Sequence, residues 1–286
     1  MIRLGMLFSR IRLEEKLVLR EAARCPDVEL VPIDGRKLTF DLGLGMHPGI
    51  DILLDREISQ SRALYTLKLL HNTGVRTINK LKTVRICGDK VFTSKTLHNA
   101  GVPTPQVKVA FSPESALEAI EQMGYPVVLK PVDGSWGRFL AKIETRTAAE
   151  AILEHKANLG SYYHSIFYIQ EYIDKPDRDI RAFVIGDEVV GAVYRKSDHW
   201  ITNAARGGAA ARYRMTDDLY RLCLKAAVAV GGEALAIDLM ETQDGLTVHE
   251  INCAMEFKES LKALDVNLPA CLIDYVVRSA RAEAKV

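Results

Sequence analysis

Asp238, Glu250 and Asn252 interrupt two otherwise apolar runs, EALAIDLMET and LTVHEIN, towards the C-terminal end of the 286-residue chain. Side chains alternate across a strand, so Glu250 and Asn252, two apart, share a face. The QDG turn makes the two runs a hairpin, which can bring Asp238 to that face. Two carboxylates and an amide oxygen are hard donors suited to Mg2+, which keeps substrate phosphates and water as its other ligands. A solvated sheet face is the competing reading; oxygens interrupting apolar strands favour the metal.

The segment VVLKPVDGSWGRFL places Lys130 at the end of an apolar run and follows it with Gly134 and Gly137. Glycine permits positive φ and close backbone approach to a ligand. Backbone N–H groups in such a loop cradle phosphates, and a neighbouring ammonium neutralises their charge. Taken alone, a hairpin turn beside a solvated lysine explains these residues equally well. FYIQEYID would offer adenine an apolar slot, with a carbonyl and an N–H from Glu171 and Ile173; taken alone, an ordinary strand with a charged end is favoured. VYRKSDHWITNAARGGAA gathers Arg195, Asn203, Arg206 and a glycine pair, donors for anionic groups, or forms a plain surface loop.

These residues need a frame. IRLGMLF, VELVPID and IDILLDR read as strands, alternating with helices over residues 12–24 and 59–73, the second stopped at Gly74; this rhythm predicts an open α/β layer to about residue 88. A helix follows CGDK, then a proline-rich turn, then a helix over 112–123 with Ser112 as cap and Pro113 in its first turn. YPVVLKP, RFLAKI and IFYIQEYI read as strands around a helix in TAAEAILEHKA. DIRAFVIGDEVVGAVYR reads as a hairpin turning at Gly186-Asp187, and helices are expected over 216–230 and in VNLPACLIDYVVRSARAEA. No G-x-G-x-x-G dinucleotide fingerprint is present.

The chain is 48% hydrophobic and carries 38 Lys+Arg against 37 Asp+Glu, a net +1 that argues against a broad nucleic-acid or membrane surface. Five scattered cysteines without a C-x-x-C pair give no zinc or disulfide framework. The opening residues mix charges with apolar groups, unlike a signal peptide, and no apolar run approaches the roughly 20 residues of a membrane span. A reducing, cytoplasmic compartment is expected, with neither nucleic acid nor membrane as partner.

In order along essentially the whole chain, GDK with Lys90, VVLKP with Lys130, GSWGR, QEYI, RDIR, TNAARGG and the D…E-x-N set resemble the ATP-grasp superfamily, and more closely its RimK-type carboxylate–amine ligases. SQSRAL, HWITNAARGG and MEFKES are similar to the lysine-biosynthesis branch of that family. Those enzymes join the α-amino group of 2-aminoadipate to the C-terminal glutamate side chain of a small acidic amino-group carrier protein. An arginine-pathway sister does the same with glutamate.

The resemblance implies an α/β (α+β) ATP-grasp fold: an N-terminal α/β pre-ATP-grasp domain over 1–88, a lid subdomain over 89–170 and a C-terminal subdomain over 171–286, the latter two clamping ATP. It implies that Lys90 and Lys130 contact ATP, that Gly134, Ser135, Trp136, Gly137 and Arg138 form a lid over the phosphates, and that Gln170, Glu171, Tyr172 and Ile173 hold adenine beside Arg181. Asp238, Glu250 and Asn252 would hold Mg2+, as two ions. Arg195, Asn203 and Arg206 would act catalytically. With Ala204 and Ala205, and with Glu256, Phe257, Lys258, Glu259 and Ser260, they would also border the amino acid. A homodimer or homotetramer is expected.

Ala204 stands where the lysine-pathway motif has threonine, Glu259 where it has asparagine, and Cys253-Ala254 where it has His-Thr. An inward Glu259 would repel the distal carboxylate of aminoadipate; an outward one would leave aminoadipate acceptable. The rival readings are glutamate ligation to another protein, the same ligation in a specialised-metabolite pathway, and an ATP-binding protein that has lost catalysis. Intact Asp238, Glu250 and Asn252 count against the last.

Overall fold

The computed structural model describes every residue except 43–48, 72, 135–137, 159–164, 198, 203–208 and 284–286. Strands β1 (Ile2–Phe8), β2 (Val28–Asp34), β3 (Ile52–Asp55) and β4 (Arg76–Ile78) form a parallel sheet in the order β2-β1-β3-β4. Both faces of β1 and β3 are covered, which is why they read as apolar runs. Leu4, Met6, Ile52 and Leu54 pack with helices α1 (Leu13–Arg24) and α8 (Leu268–Glu283). Leu7 and Leu53 turn to the other side, against α2 (Gln60–Leu70). β4 and the seven-residue α3 (Leu81–Cys87) are not legible in the sequence, being too short to establish a period.

Helix α4 (Lys90–Asn99) leads into an antiparallel sheet of order β5-β8-β6-β7, made of β5 (Val107–Ala110), β6 (Val127–Lys130), β7 (Ala141–Ile143) and β8 (Phe167–Glu171). It packs on α5 (Pro113–Met123) and α6 (Arg146–Ala157) through Ala116, Ile120, Leu129, Leu153, Phe167 and Ile169. Ser112 caps α5, its hydroxyl accepting the Ser115 N–H at 3.2 Å. The strand expected for RFLAKI shrinks to Ala141–Ile143, because Phe139 adopts φ 58°, a left-handed backbone that an extended run cannot contain.

The third sheet is antiparallel, of order β11-β10-β9-β12-β13: β9 (Arg178–Ile185), β10 (Glu188–Lys196), β11 (Ala209–Arg212), β12 (Ala234–Thr242) and β13 (Gly245–Asn252). Strand alternation divides its residues. Ile180, Ala182, Val184, Leu235 and Ile237 pack on α7 (Asp217–Val230). Phe183, Ile185, Ala234 and Ala236 join the cluster that contains α8 and the first sheet. Asn79 ties the first sheet to the third: its amide donates to the Ala234 carbonyl at 2.8 Å and accepts the N–H groups of Glu233 and Ala234.

Candidate active site

Three strands of the third sheet set a charged row side by side. Arg181 on β9 lies opposite Asp238 on β12, and Asp238 lies opposite Glu250 on β13. Directly opposed residues share a face, and this is the face that carries Phe183 and Ile185 further along β9. Arg181 grips Asp238 with two 2.7 Å bonds, from Nε and Nη2. One step along, Arg195 on β10 faces Asp179 on β9 and holds it through two further bonds of 2.7 Å. Arg195 also reaches Asp238 at 3.2 Å, and Thr202 donates to Asp179 at 2.5 Å. Burial alone would push Asp238 up, but the Arg181 and Arg195 charges hold it well below the usual carboxylate range.

Glu250 and Asn252 differ from Asp238. Among the described residues their side chains have no hydrogen-bond or ion-pair partner, and both line the cleft. Asp238 has three of its roughly four acceptor positions already engaged by guanidinium groups. The donor set thus fits a hard cation best at Glu250 and Asn252, with Asp238 oriented by its arginines for a single further bond.

A β-bulge lies in this hairpin. Asp238 pairs with Glu250 but Leu239 pairs with Val248, so His249 is the extra residue. Strict alternation would turn His249 away from Glu250; the bulge lets both line the same cleft. His249 Nδ1 lies 3.4 Å from the Lys130 ammonium, which donates to Gln170 at 2.8 Å. Burial, then the Lys130 charge, keeps the imidazole well below its ordinary value, so it is neutral at pH 7. Burial pushes Lys130 itself down to about 8, with Glu250 opposing that shift.

The cleft, about 980 Å³, lies between the second and third sheets. Lys90, Lys130, Gly134, Arg138, Gln170, Glu171, Tyr172, Ile173, Arg181, Arg195, Asp238, Glu250, Asn252 and Glu256 all line it. Ser135, Trp136, Gly137, Asn203, Ala204, Ala205 and Arg206 lie outside the described residues. The run Glu256–Ser260 differs from its expectation as a substrate border: only Glu256 lines the cleft. Phe257 is 1% exposed in the apolar core and Ser260 is also buried. Lys258 and Glu259 pair with each other at 3.0 Å, both half-exposed. Arg195, expected as a donor to substrate, is committed to Asp179 and Asp238. Sequence reasoning missed His249, Asp179 and Thr202, whose roles rest on partners 16 or more positions away in the chain.

Gly134 has φ +105° and its carbonyl accepts the Lys90 ammonium at 2.8 Å. Gly134→Val forces a β-branched residue into that backbone, at a local cost of about 1–3 kcal/mol. ATP turnover is expected to fall at least about tenfold while Tm changes by only a few degrees. An unfolded variant whose folded fraction keeps full specific activity would make the loop structural.

Residues 87–276 match the RimK-like ATP-grasp domain, and residues 4–86 match the LysX preATP-grasp domain. The chain belongs to the RimK-like ATP-grasp family. Membership in this family of ATP-dependent ligases makes it a ligase by class. The chain is 38% identical to the alpha-aminoadipate–LysW ligase LysX of Saccharolobus solfataricus over 78% of its length and 82% of that protein's. To the glutamate–LysW ligase ArgX of Sulfolobus acidocaldarius it is 34% identical, covering 96% and 98% of the two chains. A crystal structure of an ATP-grasp RimK domain protein from Sphaerobacter thermophilus superposes with a TM-score of 0.78 at 26% identity, covering 96% of this chain and 99% of that one.

Proposed function

We propose that this ATP-grasp ligase joins the α-amino group of an acidic amino acid, 2-aminoadipate first, to the C-terminal glutamate side chain of a small acidic amino-group carrier protein. The observation that carries this reading is the Arg181–Asp238–Glu250 row facing Lys90 and Lys130 across one cleft, in a chain whose relatives are LysW ligases. Glu250 and Asn252, with Asp238, would hold Mg2+ together with ATP. Bound there, Mg2+ would supply positive charge to offset the charge that develops as the carrier carboxylate takes up the γ-phosphoryl group. Lys130 and Lys90 bring positive charge to the phosphate end, and the Gly134 turn lets backbone N–H groups approach it. Gln170–Ile173 border the adenine end. Arg181 and Arg195 keep the Asp238 carboxylate ionised and aimed, and closure of the lid excludes water from the activated carboxyl group.

Glu259, half-exposed and paired with Lys258, lines neither the cleft nor the cavity described below. Aminoadipate is therefore expected to be accepted, and Glu259→Asn to leave the amino-acid preference unchanged. The ArgX match over nearly the whole chain favours glutamate as the second reading. Purified carrier incubated with ATP, Mg2+ and each amino acid should gain one aminoacyl residue, read by intact mass. No mass gain with either amino acid overturns the assignment, and the larger gain in competition decides between them.

The acidic carrier has a matching surface. Lys68, Lys80, Lys82 and Arg85 line a groove along α2 and α3 that contains no acidic residue among its described lining. Attraction across it is screened as the Debye length falls from about 10 Å at 0.1 M salt to about 3 Å at 1 M. The KM for carrier is expected to rise about tenfold over that range while the KM for amino acid stays nearly constant. A flat carrier KM counts against electrostatic docking. The resemblance also carries the expectation of a homodimer or homotetramer, which light scattering on the purified chain reads directly.

A further inference from the structure

A second cavity, of about 1370 Å³, shares Lys90, Arg181, Glu250 and Asn252 with the cleft and extends to the carboxyl end of β3, where Asp55 and Glu57 line it. The carboxyl ends of parallel strands are where open α/β sheets receive ligands. Asp55 is 8% exposed. Its Oδ1 accepts the Glu57 N–H at 2.9 Å. Its Oδ2 has no donor among the described residues and is not sealed from the cavity. The neighbouring Arg56 guanidinium is spent elsewhere, on Glu15 and the Met255 carbonyl. Glu57, Arg56 and, from the end of β13, Cys253 are the titratable or charged groups that act on Asp55. Burial pushes its carboxyl up to about 6, against the pull of the Glu57 N–H and the Arg56 charge. A buried carboxylate without a cation is costly to maintain unless a cation arrives.

Resting on the ligase reading above, the geometry points to Asp55 as the anchor for the α-ammonium of the incoming amino acid and the acceptor of its proton. The ammonium gives one proton to the Asp55 carboxylate, and the freed nitrogen lone pair forms the C–N bond at the acyl phosphate carbonyl. The bond between the carbonyl carbon and the bridging phosphate oxygen then breaks, and the second amine proton leaves with phosphate as hydrogen phosphate. No oxidant or further reactant is required. Glu57, with four donors on Oε1 from Ser9, Ile58, Ser59 and Arg62, stays fixed beside it and keeps that end of the cavity negative.

The test uses the full-length protein with ATP, Mg2+ and carrier, and two nucleophiles: the amino acid, and hydroxylamine. Hydroxylamine is a small amine, neutral at pH 7, that needs neither an ammonium anchor nor a proton acceptor. Asp55→Asn keeps the oxygen that accepts the Glu57 N–H. It is expected to cut ligation of the amino acid by about 10²-fold or more, with a raised amino-acid KM, while carrier hydroxamate formation stays within about threefold of the parent. A carboxyl raised to about 6 has stability that is lost as pH rises through that value, so the variant's Tm should exceed the parent's at about pH 8. Equal loss with both nucleophiles, or an unchanged amino-acid rate, overturns the assignment of Asp55. If the parent protein neither ligates the amino acid nor forms hydroxamate, the ligase reading falls and this proposal falls with it.

Discussion

Glu250→Gln is expected to cut ligation by about 10³-fold or more in a protein that remains folded. The side chain lines both cavities and, among the described residues, has no hydrogen-bond or ion-pair partner to lose. Its removal therefore leaves no orphaned donor, and Tm should hold within a few degrees. What disappears is one negative charge from a hard-cation site. Charge stabilisation by such a metal supplies several kcal/mol, and each 1.36 kcal/mol is a factor of ten in rate. The substitution also removes the charge that partly supports Lys130, which burial holds at about 8. A weaker Lys130 charge would raise the KM for ATP as well. Phosphate release and carrier mass, measured across a Mg2+ titration, check this. Full turnover by a folded Glu250→Gln protein would rule out the metal assignment.

Arg195→Met should act on stability instead. Arg195 is 4% exposed and serves two carboxylates, Asp179 and Asp238, which are themselves buried. Removing the guanidinium leaves Asp179 without its cation and Asp238 with Arg181 alone, and breaking a buried pair in this way costs about 3–5 kcal/mol. For a chain of this size that corresponds to a fall in Tm of about 10 °C. The loss should depend on pH. Asp238 is depressed in the folded protein, so its contribution is fully present above the unfolded carboxylate value of about 3.9 and is lost as pH falls towards the depressed one. The gap between parent and variant should be widest near neutrality and narrow below about pH 4. Denaturant midpoints at several pH values measure it; a gap under about 1 kcal/mol at pH 7 would mean that the arginine is not what compensates those charges.

Some of the site is readable from local pattern alone. Glu250 and Asn252 share a face because they are two residues apart, and QDG closes the hairpin that sets Asp238 opposite Glu250. Lys130 ends a strand whose four residues are all buried, as its apolar run implied. The motif order along the chain identified the ATP-grasp family before any packing was considered. These features depend on period, turn chemistry and residue type, all of which act over a few positions.

The amino-acid sequence by itself determined the family, the hairpin that carries the acidic row and most of the strands and helices. Tertiary structure decided what each side chain is free to do. Periodicity places His249 on the wrong face, because a bulge is a mismatch between two strands and belongs to neither alone. Arg195 reads as an available donor until Asp179, sixteen residues away, is found opposite it on the next strand. Phe257 and Ser260 read as pocket lining until the packing under α8 buries them. Asp55 reads as the end of one more apolar strand until the third sheet closes a cavity over it and leaves its carboxylate without a cation. Register, burial and ion pairing join residues tens to hundreds of positions apart, and a local pattern carries no information about which of them will meet.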